Sequence, residues 1–144
     1  MTKNKFAYYP GCSLHGTARE YDSSVKAVCA QLGIELAEIP DWNCCGATSA
    51  HSLDKDLAML LPARNLKIVE SQGLDVIIPC AACFSRTKIC ADAIENNDSV
   101  RSKIETEIGF TFKRKTKIYH LAELLVQKIG LEEIKKHIKQ PLEG

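Results

Sequence analysis

The chain has 144 residues, with 19 Lys and Arg set against 18 Asp and Glu for a net charge of +1, 45% hydrophobic and 26% charged residues. That balance excludes the one-sided basic field of a nucleic-acid binder or of a protein held on an anionic membrane, and no apolar run approaches a membrane span. The length suits one domain, residues 1–144, able to bury a core without covalent staples.

The amino-terminal Met1-Thr2-Lys3-Asn4-Lys5 leads straight into Phe6-Ala7-Tyr8-Tyr9, without the apolar segment and small-residue cleavage site of a secretory leader. The expected location is therefore the cytoplasm. Lys5–Tyr9 reads as a first strand, closed by Pro10-Gly11. From about His15 to Leu32, Val25, Val28, Cys29 and Leu32 recur at helical spacing and Gly33 stops the helix. Ile34–Ile39 alternates as a second strand ended by Pro40. A loop spans about Asp41 to Ser52. A second helix covers about Leu53–Gln72, with Pro62 as a point where it kinks or splits.

Asp75-Val76-Ile77-Ile78 is the strongest strand signal and is expected to be buried on both faces. Pro79 closes it, and a helix follows from about Ala81 to Glu95. Asn96-Asn97-Asp98 breaks that helix, and Ser99–Ile108 is expected to be another. Lys113 to Lys117 reads as a solvated connection. Lys117-Ile118-Tyr119-His120 is the last strand, Leu121–Ile129 a helix, and Leu131–Ile138 a polar helical tail. Strands and helices that alternate in this way predict an α/β fold: a small open parallel sheet of about four strands flanked by helices.

Seven cysteines need an explanation. A reducing cytoplasm disfavours a disulfide framework, and an odd number cannot pair completely. Their placement is informative. Ligands of open α/β sheets bind beyond the carboxyl ends of the strands. Cys12 follows the first strand, Cys44 and Cys45 follow the second, and Cys80 and Cys83 follow the third. Three loops distant in sequence should thus bring thiols to one sheet edge. Gly11 and Gly46 permit tight turns there, and the helix starts offer N–H groups to anionic sulfur. Structural zinc and cubane iron–sulfur clusters take four protein ligands, whereas five cysteines gather here. Adjacent Cys44 and Cys45 are awkward on one small ion but can hold two irons of a larger cluster. Ligand number alone leaves the type of centre open.

Three segments carry a family resemblance: Tyr8-Tyr9-Pro10-Gly11-Cys12-Ser13-Leu14-His15-Gly16, Asp41-Trp42-Asn43-Cys44-Cys45-Gly46-Ala47 and Pro79-Cys80-Ala81-Ala82-Cys83. Together they closely resemble the cysteine-rich CCG domain, and more narrowly the first half of the heterodisulfide reductase family's B-type, CCG-bearing polypeptide. The resemblance implies a noncubane [4Fe-4S] cluster bound by Cys12, Cys44, Cys45, Cys80 and Cys83. It implies reductive cleavage of a disulfide, in methanogens the mixed disulfide of coenzyme M and coenzyme B, in an anaerobic complex. The electrons come there from a flavin subunit through a subunit with cubane clusters. The family usually carries two CCG repeats with facing clusters, and this sequence holds one. A second CCG domain, from a second copy or a separate subunit, is therefore an expected partner.

The other chemistry-bearing residues have plainer readings beside the sharper ones. Cys29 lies on the apolar stripe of the first helix and is expected to be a small core residue. Cys90 is two helical turns from Cys83, roughly 10 Å, too far to share a ligand set with it. His120, at the end of the last strand, is either a proton or hydrogen-bond donor to the site or, by the stronger expectation, a capping histidine. His15 and Trp42 stand beside the motif as neighbours of the site or as packing residues. A competing function is thioredoxin-like exchange at Cys80 and Cys83, which leaves Cys12, Cys44 and Cys45 unexplained. Another is a non-catalytic electron-transfer module.

Overall fold

A computed structural model describes residues 4–113 and 116–143. Met1–Lys3, on which the leader reading partly rests, lie outside the described residues, as do Arg114 and Lys115 of the charged connection.

Four parallel strands, β1 (Lys5–Tyr8), β2 (Glu35–Glu38), β3 (Val76–Ile77) and β4 (Ile118–Tyr119), form one sheet in the order β2-β1-β3-β4. Lys5 pairs with Glu35, Ala7 with Val76 and Ile77 with Tyr119. The expected parallel α/β architecture is what forms, with each strand within about two residues of its expected limits. The chain leaves β1 for β2 on one side and then crosses to β3 on the other. The switch point of the sheet therefore lies between β1 and β3, where such folds open a crevice.

Alternation along the strands divides the core between the two faces of the sheet. Phe6, Tyr8 and Ile77 pack on one face with Val25, Cys29 and Leu124. Ala7, Tyr9, Val76 and Ile78 pack on the other with Leu66, Val69, Cys90 and Ile94. The third strand is thus buried on both faces, as its unbroken apolar run requires.

The helices depart from the sequence reading in instructive places. The first expected helix is two: α1 (Gly11–His15) and α2 (Arg19–Gln31). The Gly16 and Ala18 N–H groups both turn back onto the Ser13 carbonyl, which ends α1. Val28, placed on the apolar stripe by periodicity, is 40% exposed, whereas Cys29 is fully buried. The loop after β2 contains α3 (Ala50–Leu53). The long helix α4 (Lys55–Gln72) then starts at Asp54, whose carboxylate accepts from the Asp56 and Leu57 N–H groups at 2.8 and 3.0 Å. Pro62 sits inside α4 without splitting it.

α5 (Ala81–Asn96) and α6 (Asp98–Ile108) meet at Asn97, which caps α6 through Val100 N–H at 3.1 Å. The next helix starts as α7 (Leu121–Glu123), widens to π geometry over Leu124–Ile129, and is followed by α8 (Leu131–His137). Among the described residues no helix is long and apolar enough to cross a membrane.

Candidate metal centre

The Cys12 loop lies in the middle of the three, because β1 is flanked by β2 and β3. At its start Gly11 has φ +77°, and a Cβ there would stand 2.7 Å from Cys83 Sγ. Glycine is thus required twice over: for the left-handed backbone and for the sulfur pressed against it. Gly46 repeats the device on the other side. Its φ is +78°, and a Cβ would come within 2.9 Å of Ala50 and Leu61. Both glycines let loops close onto the site where any side chain would hold them apart.

The five thiols expected at this edge form a connected string. Cys12 interacts with Cys44, Cys44 with Cys45, Cys45 with Cys83, and Cys83 with Cys80. The string runs from solvent into the core, with Cys12 and Cys44 exposed, Cys80 half-buried, and Cys45 and Cys83 buried. No disulfide joins any of them. Among the described residues no three His, Cys, Asp or Glu side chains are set around a point to hold one metal ion.

The electrostatics separate the buried pair. Cys45 is held down to about 6, first by the hydrogen bond from Cys83 and further by the Ala47 N–H and its own. Cys83 is pushed far up by the same contact and by burial. The contact thus favours ionisation of Cys45 and opposes that of Cys83. Cys44 accepts from the Gly46 N–H at 3.4 Å, which favours its ionised form. Burial and the nearby Cys12 and Cys45 outweigh that bond and raise it. Cys80 occupies the N-cap position of α5 without capping it through its side chain.

Cys29 and Cys90 stand apart from the string. Each is fully buried, in separate core clusters on opposite faces of the sheet. Cys90 Sγ donates to the Met59 carbonyl at 3.3 Å. Burial alone raises them, to about 11 and about 12 respectively.

His15 and Trp42 do meet at the open end. Their rings pack edge-on at 5.0 Å, and both donate to Glu38 Oε1 at 3.0 Å. Trp42 also packs on Tyr9 at 5.5 Å. His120 is a cap, in keeping with its plainer reading. Its Nδ1 accepts from the Ala122 N–H at 3.3 Å, and its backbone N–H donates to Glu123 at 3.1 Å. Its Nε2 reaches the Pro79 carbonyl at 2.9 Å, next to Cys80.

Sequence reasoning passes over the clamp on the Cys44–Cys45 loop. Asn65 is 2% exposed. Its Oδ1 accepts from the Asn43 N–H at 3.0 Å, and its Nδ2 donates to the Asn43 carbonyl at 2.8 Å. Asn43 Nδ2 donates onward to the Cys44 and Leu61 carbonyls at 2.8 and 2.9 Å. Arg64 donates to Asn43 Oδ1 at 3.0 Å and pairs with Asp41. Tyr9 adds a bond from its hydroxyl to the Asn43 carbonyl at 2.9 Å. An Asn-Leu pair after an Arg in mid-helix gives no local signal; only the tertiary contact reveals its use.

A family model described as a cysteine-rich domain, CCG, matches residues 6–87. The chain is 32% identical over 97% of its length to an 8-methylmenaquinol:fumarate reductase membrane anchor subunit of Wolinella succinogenes, covering 49% of that protein. It is 27% identical over 97% of its length to a heterodisulfide reductase B-like protein of Archaeoglobus profundus, covering 48% of it. It is 24% identical over 96% of its length to the B polypeptide of the ferredoxin/F(420)H(2)-dependent CoB-CoM heterodisulfide reductase of Methanosarcina acetivorans, covering 48%. The chain thus spans about half the length of these relatives. A hypothetical protein from Helicobacter pylori shares the fold, with a TM-score of 0.74 over 88% of this chain and 26% of that one, at 13% identity. With the family match covering every cysteine of the thiol string, the chain belongs to the cysteine-rich CCG domain family.

Proposed function

We propose that Cys12, Cys44, Cys45, Cys80 and Cys83 bind a noncubane [4Fe-4S] cluster, and that the chain serves as an iron–sulfur subunit of a heterodisulfide reductase-like complex that reductively cleaves a small disulfide. The observation that carries the reading is the unbroken string of five free thiols drawn from the ends of three adjacent strands. The donors fit such a group in kind, being all sulfur, and the hydrogen bonds to Cys45 favour the thiolate form that binds metal. Gly11 and Gly46 keep the loops close enough for all five to act together.

The bound cluster would supply single electrons, and two electrons with two protons turn a disulfide into two thiols. The chain's own residues hold and orient. Cys45 presents its sulfur from the core, where its hydrogen bonds favour ionisation, and the Gly46 N–H directs Cys44. Asn65 and Asn43 fix the peptide on which both cysteines hang. Trp42 and His15, joined through Glu38, flank the open end beside exposed Cys12 and Cys44, where a substrate or a partner domain has access. A second CCG domain, from another copy or another polypeptide, would complete a two-cluster site there. A cubane iron–sulfur subunit and a flavin subunit would deliver electrons.

A second reading is favoured by the relative named as a fumarate reductase subunit, whose named reaction involves no disulfide. In that reading the domain only passes electrons on. Thioredoxin-like exchange at Cys80 and Cys83 fits less well, because it gives Cys12, Cys44 and Cys45 of the same string no role.

Iron and acid-labile sulfide content, with an electron paramagnetic resonance spectrum under strict anaerobiosis, tests the cluster. Cys45→Ser should lose iron where Cys29→Ser keeps it, and equal iron in the two would refute the ligand set. Disulfide-reductase activity followed through dilution then separates the two readings. Activity that falls as the partner domain dissociates supports cleavage at paired sites. A loaded chain that exchanges electrons and reduces no disulfide at any concentration supports the second.

A further inference from the structure

The buried residues of α5 are Cys83, Thr87, Cys90 and Ile94, a single stripe at helical spacing. Thr87 therefore stands one turn beyond Cys83 on the same face. It is 2% exposed, and among the described residues its Oγ1 is a buried side-chain oxygen with no hydrogen-bond partner. The other polar groups in this part of the core are satisfied. Cys90, next on the stripe, donates to Met59, and buried Asn65 uses both ends of its amide on Asn43. A threonine in a helix commonly returns its hydroxyl to the carbonyl one turn back, here that of Cys83. Thr87 makes no such bond.

An orphaned hydroxyl in a packed core is unfavourable, and native proteins rarely keep one without a use. Helical side chains lean toward the amino end of their helix, so Thr87 leans along the stripe toward Cys83 and the thiols. Valine would fill the same volume with the same branching and leave nothing unpaired. A hydroxyl at this position calls for an acceptor that arrives with the bound group, and the acceptors such a group brings are sulfurs.

Resting on the cluster reading above, we propose that Thr87 is a positioning residue whose hydroxyl donates a hydrogen bond to a sulfur of the bound iron–sulfur group on its Cys83 side. Hydrogen bonds to cluster sulfurs favour the reduced, more negative state and so raise the reduction potential. Thr87 would tune the centre without ligating iron or touching substrate.

The test compares wild type, Thr87→Val and Thr87→Ser, each as metal-free reduced chain and after anaerobic loading with iron and sulfide. Without metal, Thr87→Val should melt at or above the wild-type temperature, because it removes an unpaired polar atom and nothing else. After loading, the same variant should release iron to a chelator about tenfold faster, the usual weight of one hydrogen bond. Its midpoint potential should fall by about 59 mV, the one-electron equivalent of a tenfold change. Thr87→Ser, which keeps the hydroxyl, should restore both. If Thr87→Val lowers the melting temperature of the metal-free chain, the hydroxyl already has a protein partner and the proposal is wrong. If the loaded variant matches wild type in release and potential, the proposal is wrong while the cluster reading stands. If wild type takes up no iron and sulfide, both fall together.

Discussion

Replacing Gly11 by alanine measures how tightly the Cys12 loop is pressed against Cys83. A Cβ at position 11 would lie 2.7 Å from Cys83 Sγ, with the next atoms at 3.9 Å, and the backbone there has φ +77°. Two separable penalties follow. Holding alanine in the left-handed region costs about 1–2 kcal/mol, and forcing a methyl into a packed site costs about 1–3 kcal/mol more. Gly33 isolates the first, because its φ is +67° and a Cβ there would meet nothing within 4 Å. Gly11→Ala should thus exceed Gly33→Ala by about 1–3 kcal/mol. In a Cys83→Ala background the sulfur is gone, the remaining contacts at 3.9 Å are ordinary, and that excess should vanish. Guanidinium unfolding of the reduced, metal-free variants gives the coupling from midpoint shifts at constant slope. A coupling under about 0.5 kcal/mol, the level at which independent sites simply add, would refute the reasoning, since the thiol would then not be the atom that demands glycine.

Asn65→Ala should destabilise the metal-free chain by about 1–3 kcal/mol, because it leaves the Asn43 N–H without its acceptor and the Asn43 carbonyl with the Tyr9 hydroxyl alone; an unchanged thermal midpoint would show that the clamp is idle. His120→Ala should lower stability by about 1–2 kcal/mol through loss of a helix cap and of the bond to Pro79, and His120→Asn, which can still cap α7, should recover part of that in the same melt. The pH dependence has a definite sign. The Cys45 thiol at about 6 lies below its unfolded value of 9.0, so the unfolded chain binds more protons between those limits and stability rises with pH across that window. Above 9.0 the sign reverses, because Cys83, Cys29 and Cys90 keep protons in the folded chain that the unfolded chain gives up. Denaturant midpoints of the reduced chain should therefore peak near pH 9, and Cys45→Ser should flatten the rising limb; a peak at or below about pH 6 would contradict the lowering of Cys45.

The sheet and the convergence of the thiols were legible because they rest on patterns with few competing explanations. Val76-Ile77-Ile78 is a run that only a strand buried on both faces accommodates, and in parallel strands a cysteine placed after each one must fall at the same edge. The break between α1 and α2 was not legible. It depends on Gly16 and Ala18 both turning back to Ser13, a local competition that the apolar spacing across Val25 and Cys29 does not register. Val28 departs from its expected place for a related reason. Periodicity assigns an angle on the helix but not the width of the stripe its neighbours cover. The clamp at Asn65 was invisible because its partner is 22 residues away in sequence, and an asparagine in mid-helix is ordinarily read as solvated.

The fourth strand brings no cysteine to the edge, yet it bears on how the third presents its own. Pro79, at the end of β3, has no N–H to hold it, so its carbonyl is the handle on the peptide before Cys80. Two groups from opposite directions take that handle: the Tyr21 hydroxyl of α2 at 3.3 Å and His120 Nε2, at the end of β4, at 2.9 Å. The imidazole is committed by this. Its Nδ1 must carry a lone pair to accept from Ala122, so the Nε2 must carry the proton that Pro79 receives. Both ring nitrogens are thus engaged, Nδ1 by Ala122 and Nε2 by Pro79. His120 thus stands among the residues that hold Cys80 in position, with Phe84 packed edge-on against its ring at 5.6 Å.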